Sequence, residues 1–208
     1  MSVSAILCLP LAYLLGSIPV GFLVARIFYH TDIRQTGSGN IGATNALRQF
    51  GTKVGVSVLL LDMLKGILAV VIARNVFGYA HPLVSLCGLL AILGHIFSIW
   101  LKFRGGKGVA TAAGVFVALA PLAVVIALLT FVVVVMRSSY VSLGSIIAAS
   151  VFGIASYIRE FSKPNPDWAL LVLVALVVLM IIIKHKDNIH RLLKGEENKI
   201  SFTKKGKS

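Results

Sequence analysis

The chain has 208 residues, 58% of them hydrophobic and 13% charged, about half the charged share of an ordinary soluble domain. Uncharged runs at 1–25, 108–136 and 138–158 exclude soluble, fibrous, disordered and disulfide-scaffold classes and call for a bilayer, which takes about 20 apolar residues per helical span. Its 20 Lys and Arg against 7 Asp and Glu give a formal net charge of +13, which in a membrane protein points to anionic lipid headgroups and phosphorylated small molecules rather than to nucleic acid.

The first apolar run, near 3–25, has no Lys or Arg before it and outlasts the core of a signal peptide, so it is expected to stay as a span. Cys8 in this run and Cys87 further on lie among apolar residues and read as lipid-facing or packed thiols, without a disulfide or metal site. Further spans are predicted near 54–73, 82–101, 138–158 and 167–183. Asp62 and Lys65, three apart in the second span, read as an ion pair, because an unpaired charge at that depth is costly. His95, near the end of the third, reads as a hydrogen-bonded packing histidine. The 29 uncharged residues of 108–136 would make a helix of roughly 43 Å, too long for one crossing, and Pro121 lies in their middle.

Charge resolves that stretch better than length does. Lys and Arg number 4 in 26–53, 3 in 102–107 and 8 from Lys184 onward, against 1 in 74–81 and 2 in 159–167. By the positive-inside rule the rich segments are cytoplasmic and the poor ones external. An even number of crossings must then join 102–107 to the tail, so 108–136 counts as two around Pro121. The expected fold is an all-α, polytopic bundle of seven spans, N-terminus outside and C-terminus cytoplasmic, forming a single domain over 1–208 with a basic cytoplasmic tail at 184–208.

Three polar clusters fall on the cytoplasmic side. The first, Gly37-Ser38-Gly39-Asn40-Ile41-Gly42-Ala43-Thr44-Asn45 with Arg48 and Gly51 beyond, lets a backbone approach a ligand and turn N–H groups toward it. A flexible loop fits that composition equally well. The second, Phe103-Arg104-Gly105-Gly106-Lys107-Gly108-Val109-Ala110-Thr111, opens into a span and combines glycines, a lysine and a helix N-terminus, the ingredients of a phosphate cradle. Lys102 and Arg104 also suit a positive-inside anchor, but an anchor has no need of the glycines. A Walker A loop is absent, so nucleotide hydrolysis is not implied. The third, Lys184-His185-Lys186-Asp187-Asn188-Ile189-His190-Arg191-Leu192 with Gly195, Glu196 and Glu197, places His185, Asn188 and Arg191 on one face if the helix continues. Anchoring explains the lysines here but not His185 and Asn188. Ser142 and Ser145 share a helix face near the same end, although a transmembrane serine usually bonds back to its own helix. The sequence has no Gly-x-Ser-x-Gly elbow, no zinc-spaced His and Cys, no His followed five residues later by Asp and no Asp-rich magnesium pattern, so neither a covalent enzyme intermediate nor a metal mechanism is expected.

These clusters, with Gly94-His95 and Tyr140-Val141-Ser142-Leu143-Gly144-Ser145, resemble in order the bacterial acyl-phosphate:glycerol-3-phosphate acyltransferase family, PlsY, over residues from about 13 to 200. The departures are Arg137-Ser138-Ser139 before Tyr140 and the Lys-rich tail after Glu197. The resemblance implies transfer of a fatty acyl group from acyl phosphate to the 1-hydroxyl of glycerol 3-phosphate. The products are lysophosphatidic acid and inorganic phosphate, made by a multi-pass protein of the bacterial inner membrane that works as a monomer, without cofactor, metal or nucleic acid. Ser38, Arg48, Lys107, Ser145, His185 and Asn188 are expected to act on the two phosphate groups. Gly39, Asn40, Thr44, Asn45, Gly105, Gly106 and Gly108 are expected to line the phosphate subsite with Lys107, and Glu197 is expected to be structural. His185 is either the base or a hydrogen-bonding positioner. The second is favoured, because no carboxylate obviously orients it and a basic pocket depresses its pKa. An organic-phosphate carrier and a polybasic lipid scaffold are the competing classes; the first is disfavoured because the polar residues gather at one end of the predicted spans.

Overall fold

The structure, a computed structural model, describes residues 3–79 and 81–200, the side chains of 3–5 excepted; Lys204, Lys205 and Lys207 of the basic tail lie outside the described residues. It is all-helical: α1 (Val3–Ser17), α2 (Val20–Tyr29), α3 (Ala43–Phe50), α4 (Thr52–Phe77), α5 (Pro82–Ile96), α6 (Val109–Leu119), α7 (Pro121–Ser138), α8 (Val141–Phe161), α9 (Trp168–Lys184) and α10 (Lys186–Lys194). Four apolar helices, α4, α5 with the 3₁₀ turn that follows it, α7 and α8, are long enough to cross a membrane. Counting each of two bent pairs, α1 with α2 (45°) and α9 with α10 (51°), as one span brings the number among the described residues to six.

Each interruption has a local cause. The run near 3–25 is not one straight helix, because Pro19 lacks an N–H and disfavours helical geometry at Ile18. Two carbonyls at this break are taken up by side chains from elsewhere in the bundle: Ser98 Oγ, just past α5, donates to Ser17 O at 2.6 Å and Lys65 Nζ of α4 to Ile18 O at 2.8 Å. The stretch 108–136 breaks where Pro121 was expected to break it, with Ala120 at φ −142° and Pro121 opening α7. α6, with 11 residues, rises only roughly 17 Å and is too short to span hydrocarbon by itself. The helix through His185 does not continue straight either: the chain bends there, so Asn188 and Arg191 lie on α10 and His185 at the corner.

α5 is the hub, packed by α1, α4, α6 and α9, while α7 leans chiefly on α8 at the periphery. Val84, Cys87, Ala91 and Ile92 of α5 are buried beside Cys8, Val70, Val115 and Val174 in the main core. Cys8 and Cys87 are packed thiols, Sγ to Sγ 3.8 Å apart. Two helix pairs approach until backbone meets backbone. A Cβ on Gly16 would strike Ala91 O and one on Gly94 would strike Tyr13 O, across α1 and α5; Gly66 and Gly114 stand likewise against Thr111 O and Met63 O, across α4 and α6. Small residues are what allow such approach in an apolar bundle, where packing replaces hydrophobic drive. A second small core, Ala25, Ile33, Ile41, Ala46, Val58 and Leu101, supports the loop between α2 and α3.

Because these contacts leave no room for a side chain, Gly94→Val and Gly114→Val are each expected to destabilise the fold by about 1–3 kcal/mol or more. The check is loss of the monodisperse peak and a lower unfolding temperature in detergent.

Candidate active site

The loop before α3 is wound round one side chain. Asn45 is 1% exposed, and its Nδ2 reaches the carbonyls of Ile33 (3.1 Å), Thr36 (3.0 Å) and Asn40 (2.9 Å) while its Oδ1 accepts from Ser38 N at 3.1 Å. Asn40 Oδ1 accepts from Gly42 N at 2.8 Å. Gly37 and Gly39 take positive φ (58° and 68°) on either side of Ser38, a geometry that glycine adopts without strain. A buried amide thus shapes the loop that carries Ser38.

The second glycine loop folds back on the end of α5. Gly105 N donates to Ile96 O at 3.1 Å and Gly106 N to His95 O at 3.0 Å. A Cβ on Gly105 would strike His95 O, and one on Gly106 would strike His95 Nε2. These two glycines therefore serve close packing, and their N–H groups are already spent. That differs from the cradle expected of them. Gly108, Val109 and Ala110 instead bring the N-terminus of α6 to the site, and Lys107 Nζ donates to Asn188 Oδ1.

The third segment closes round a carboxylate. Glu197 accepts from Ser142 Oγ (2.9 Å), Asn188 Nδ2 (2.7 Å) and Arg191 Nε (2.7 Å), and the neighbouring Asn198 carbonyl accepts from an Arg48 terminal nitrogen at 2.9 Å. Burial pushes the Glu197 carboxyl up, but these hydrogen bonds outweigh it and hold the group below the ordinary range.

The segments meet at one end of the bundle around a cavity of about 160 Å³. Ser38, Arg48, Lys107, Ser145, His185, Asn188 and Glu197 all line it, as do Asn40, Thr44, Asn45 and Gly108. Gly39, Gly105 and Gly106 do not. Asn45 borders the cavity with its amide fully committed to the loop, and Ser145 Oγ donates to Val141 O of its own helix at 2.9 Å. Asp62, expected only to pair with Lys65, and His95, expected only to pack, both line the cavity as well. The signal was present, since an ionisable group inside a span is a reason to look for a site. Leu59, Phe131 and Val141 give the same cavity an apolar wall, which nothing in the sequence marked.

Burial lowers the Lys107 pKa to about 8, with Glu197 opposing and Arg191 and Arg48 reinforcing. Burial likewise pushes the Arg48 guanidinium down. At the first residue past α9, His185 Nδ1 hydrogen-bonds Ile181 O at 2.8 Å. Since a carbonyl only accepts, Nδ1 carries the proton and Nε2 of the neutral ring is bare. Burial first, then Lys107, lowers this imidazole to about 4, so it is uncharged near neutrality. The site combines converging cations, a helix N-terminus, one neutral acceptor nitrogen and an apolar side.

Fold and pocket together define a polytopic helical membrane protein with a cavity lined by cations and apolar side chains at one end of its bundle. The chain belongs to the glycerol-3-phosphate acyltransferase family, whose family model matches residues 6–195. A glycerol-3-phosphate acyltransferase of Trichlorobacter lovleyi is 50% identical over 188 residues, 90% of this chain and 93% of that protein. Glycerol-3-phosphate acyltransferase 2 of Bacillus anthracis is 47% identical over 195 residues, 94% and 98% of the two chains. The crystal structure of PlsY (YgiH), an integral membrane glycerol 3-phosphate acyltransferase, in its glycerol 3-phosphate form matches with a TM-score of 0.88 at 37% identity, covering 95% of this chain and 96% of that one. Its lysophosphatidic acid form matches with a TM-score of 0.85.

Removing Glu197 leaves three donors and a cluster of cations without their counter-charge. Glu197→Ala is expected to cost about 2 kcal/mol or more, an unfolding temperature lower by about 5 °C. A variant that melts like the wild type but has lost glycerol 3-phosphate binding would reverse the structural assignment.

Proposed function

We propose that this chain transfers a fatty acyl group from acyl phosphate to the 1-hydroxyl of glycerol 3-phosphate, releasing lysophosphatidic acid and inorganic phosphate. The observation that carries the reading is the cavity itself, in a member of this family. Arg48, Lys107 and the α6 N-terminus line it together with the apolar side chains of Leu59, Phe131 and Val141. The cations suit the two phosphates, and the apolar wall suits the start of an acyl chain that continues between helices toward lipid.

Acyl phosphate is a mixed anhydride with a good leaving group, so positioning and charge neutralisation can supply most of the acceleration. The hydroxyl oxygen attacks the acyl carbon, the carbon–oxygen bond to phosphate breaks, and the hydroxyl proton passes to the departing phosphate. A histidine held near pKa 4 is a poor base at neutral pH but a good acceptor, so His185 Nε2 orients the hydroxyl. Ser38, Ser145 and Asn188 complete the polar shell, and Arg48 and Lys107 offset the charge that gathers on the phosphate.

The topology that goes with this reading has seven crossings, α7 as one and α6 as another whose helix covers only part of the hydrocarbon thickness, with the N-terminus outside and the site facing the cytoplasm. The Lys and Arg distribution supports it, as does a cavity that collects residues from the starts of α6 and α8 and the ends of α5 and α9. We place the protein in the bacterial inner membrane as a monomer that needs no metal, cofactor or nucleic acid.

Purified protein in detergent given palmitoyl phosphate is expected to release phosphate only when glycerol 3-phosphate is present, with lysophosphatidic acid as the co-product. Lys107→Ala is expected to lower the rate about 100-fold or more. No turnover from folded protein would overturn the reading. Because the Lys107 pKa is depressed, its charge is lost as pH rises through about 8, so kcat/KM should fall above that pH. Lys107→Arg should remove this alkaline limb. His185→Ala should lower kcat without removing any limb between pH 6 and about 8; disappearance of an ionisation near neutrality would instead make His185 the base.

A further inference from the structure

One charged cluster at the site has no part in the reaction as described. Lys65 Nζ pairs with Asp62 Oδ1 at 2.7 Å, donates to Ile18 O at 2.8 Å and reaches His95 Nδ1 at 3.0 Å. His95 Nδ1 lies 3.5 Å from the same Asp62 oxygen. Asp62 is 2% exposed, and Lys65 and His95 4% each. The ammonium thus has two hydrogen-bonding contacts, to Ile18 O and His95 Nδ1, beside its ion pair with Asp62. An ion pair needs only Asp62 and Lys65, yet the network extends to a histidine and so holds the rotation of its ring.

That ring bears directly on the loop carrying Lys107. Gly106 has no room for a Cβ against His95 Nε2, and the Gly106 N–H donates to the His95 carbonyl at 3.0 Å. The next residue is Lys107, whose ammonium crosses the cavity to Asn188. We propose that the Asp62–Lys65–His95 network is the positioning device for Lys107, with His95 as the positioning residue that transmits the geometry of α4 and of the α1–α2 break to the phosphate site. The role in turnover rests on the acyltransferase reading above; the effect on the loop does not.

The test compares His95→Leu, which removes the acceptor for Lys65, with His95→Asn, whose Oδ1 can replace Nδ1. Each folded variant is assayed with palmitoyl phosphate and glycerol 3-phosphate, and the pH dependence of Lys107 acetylation is followed by mass spectrometry. His95→Leu is expected to lower kcat about 30-fold with both KM values within about threefold, since misaiming weakens transition-state contacts more than ground-state ones. Acetylation of Lys107 should report an apparent pKa moved upward from about 8, as the side chain leaves its buried position. His95→Asn should recover most of both. Should His95→Leu not fold, Asp62→Asn/Lys65→Met removes both buried charges together and is expected to give the same kcat and labelling changes. A folded His95→Leu or double variant with wild-type Lys107 labelling overturns the proposal, and so does a His95→Asn no better than His95→Leu. Absence of lysophosphatidic acid from the wild type would sink the acyltransferase reading alone, because the labelling needs no turnover.

Discussion

A bilayer offers no partner to a free backbone N–H or C=O, and this chain nevertheless interrupts its helices to build a polar site. Everything near the site follows from meeting that constraint with side chains. The carbonyls of Ser17 and Ile18, freed where Pro19 stops α1, go to Ser98 and Lys65. The end of α5 is closed by the N–H groups of Gly105 and Gly106. The corner between α9 and α10 uses the His185 ring, which bonds the Ile181 carbonyl and in doing so fixes its own tautomer. Residues that look as if they belong to chemistry are, in part, the cost of breaking helices inside an apolar bundle.

The second constraint is electrostatic. Arg48, Lys107 and Arg191 converge on a small cavity, and such a group of cations repels itself unless an anion is present. Glu197 supplies that anion through three hydrogen bonds that tie α8 and α10 to the tail. Burial and neighbouring cations depress both Lys107 and His185, with different consequences. Lys107 keeps its charge at neutral pH, whereas His185 loses it and becomes an acceptor. One environment thus yields a cation and, beside it, a neutral acceptor nitrogen.

Much of this was legible in the sequence. The bilayer class, the break at Pro121, the Asp62–Lys65 pair and the convergence of the three polar clusters all follow from hydropathy, charge and residue chemistry, because each depends on local composition or on the high cost of a lone charge in lipid. Other features depend on which surfaces meet, and local pattern is blind to that. Gly105 and Gly106 read as a ligand cradle and prove to be the socket for His95, a distinction that only the packing of α5 reveals. Asn45 read as a phosphate contact, whereas its amide is consumed within its own loop. Pro19 inside an apolar run gave no sign of a 45° bend, since a proline in a transmembrane helix is tolerated wherever neighbours satisfy the freed groups.

The position of Glu197 also bears on biosynthesis. Among the described residues every apolar helix precedes it in the chain, and α10 and Gly195 lie between it and the end of α9. A nascent chain can therefore insert these helices while the cations of Arg48, Lys107 and Arg191 still lack their anion, and α8 is tied to α10 only once Glu197 has followed them. Insertion and competence are separate events, and a message cut short just before codon 197 would yield a protein at home in the membrane with an unfinished site.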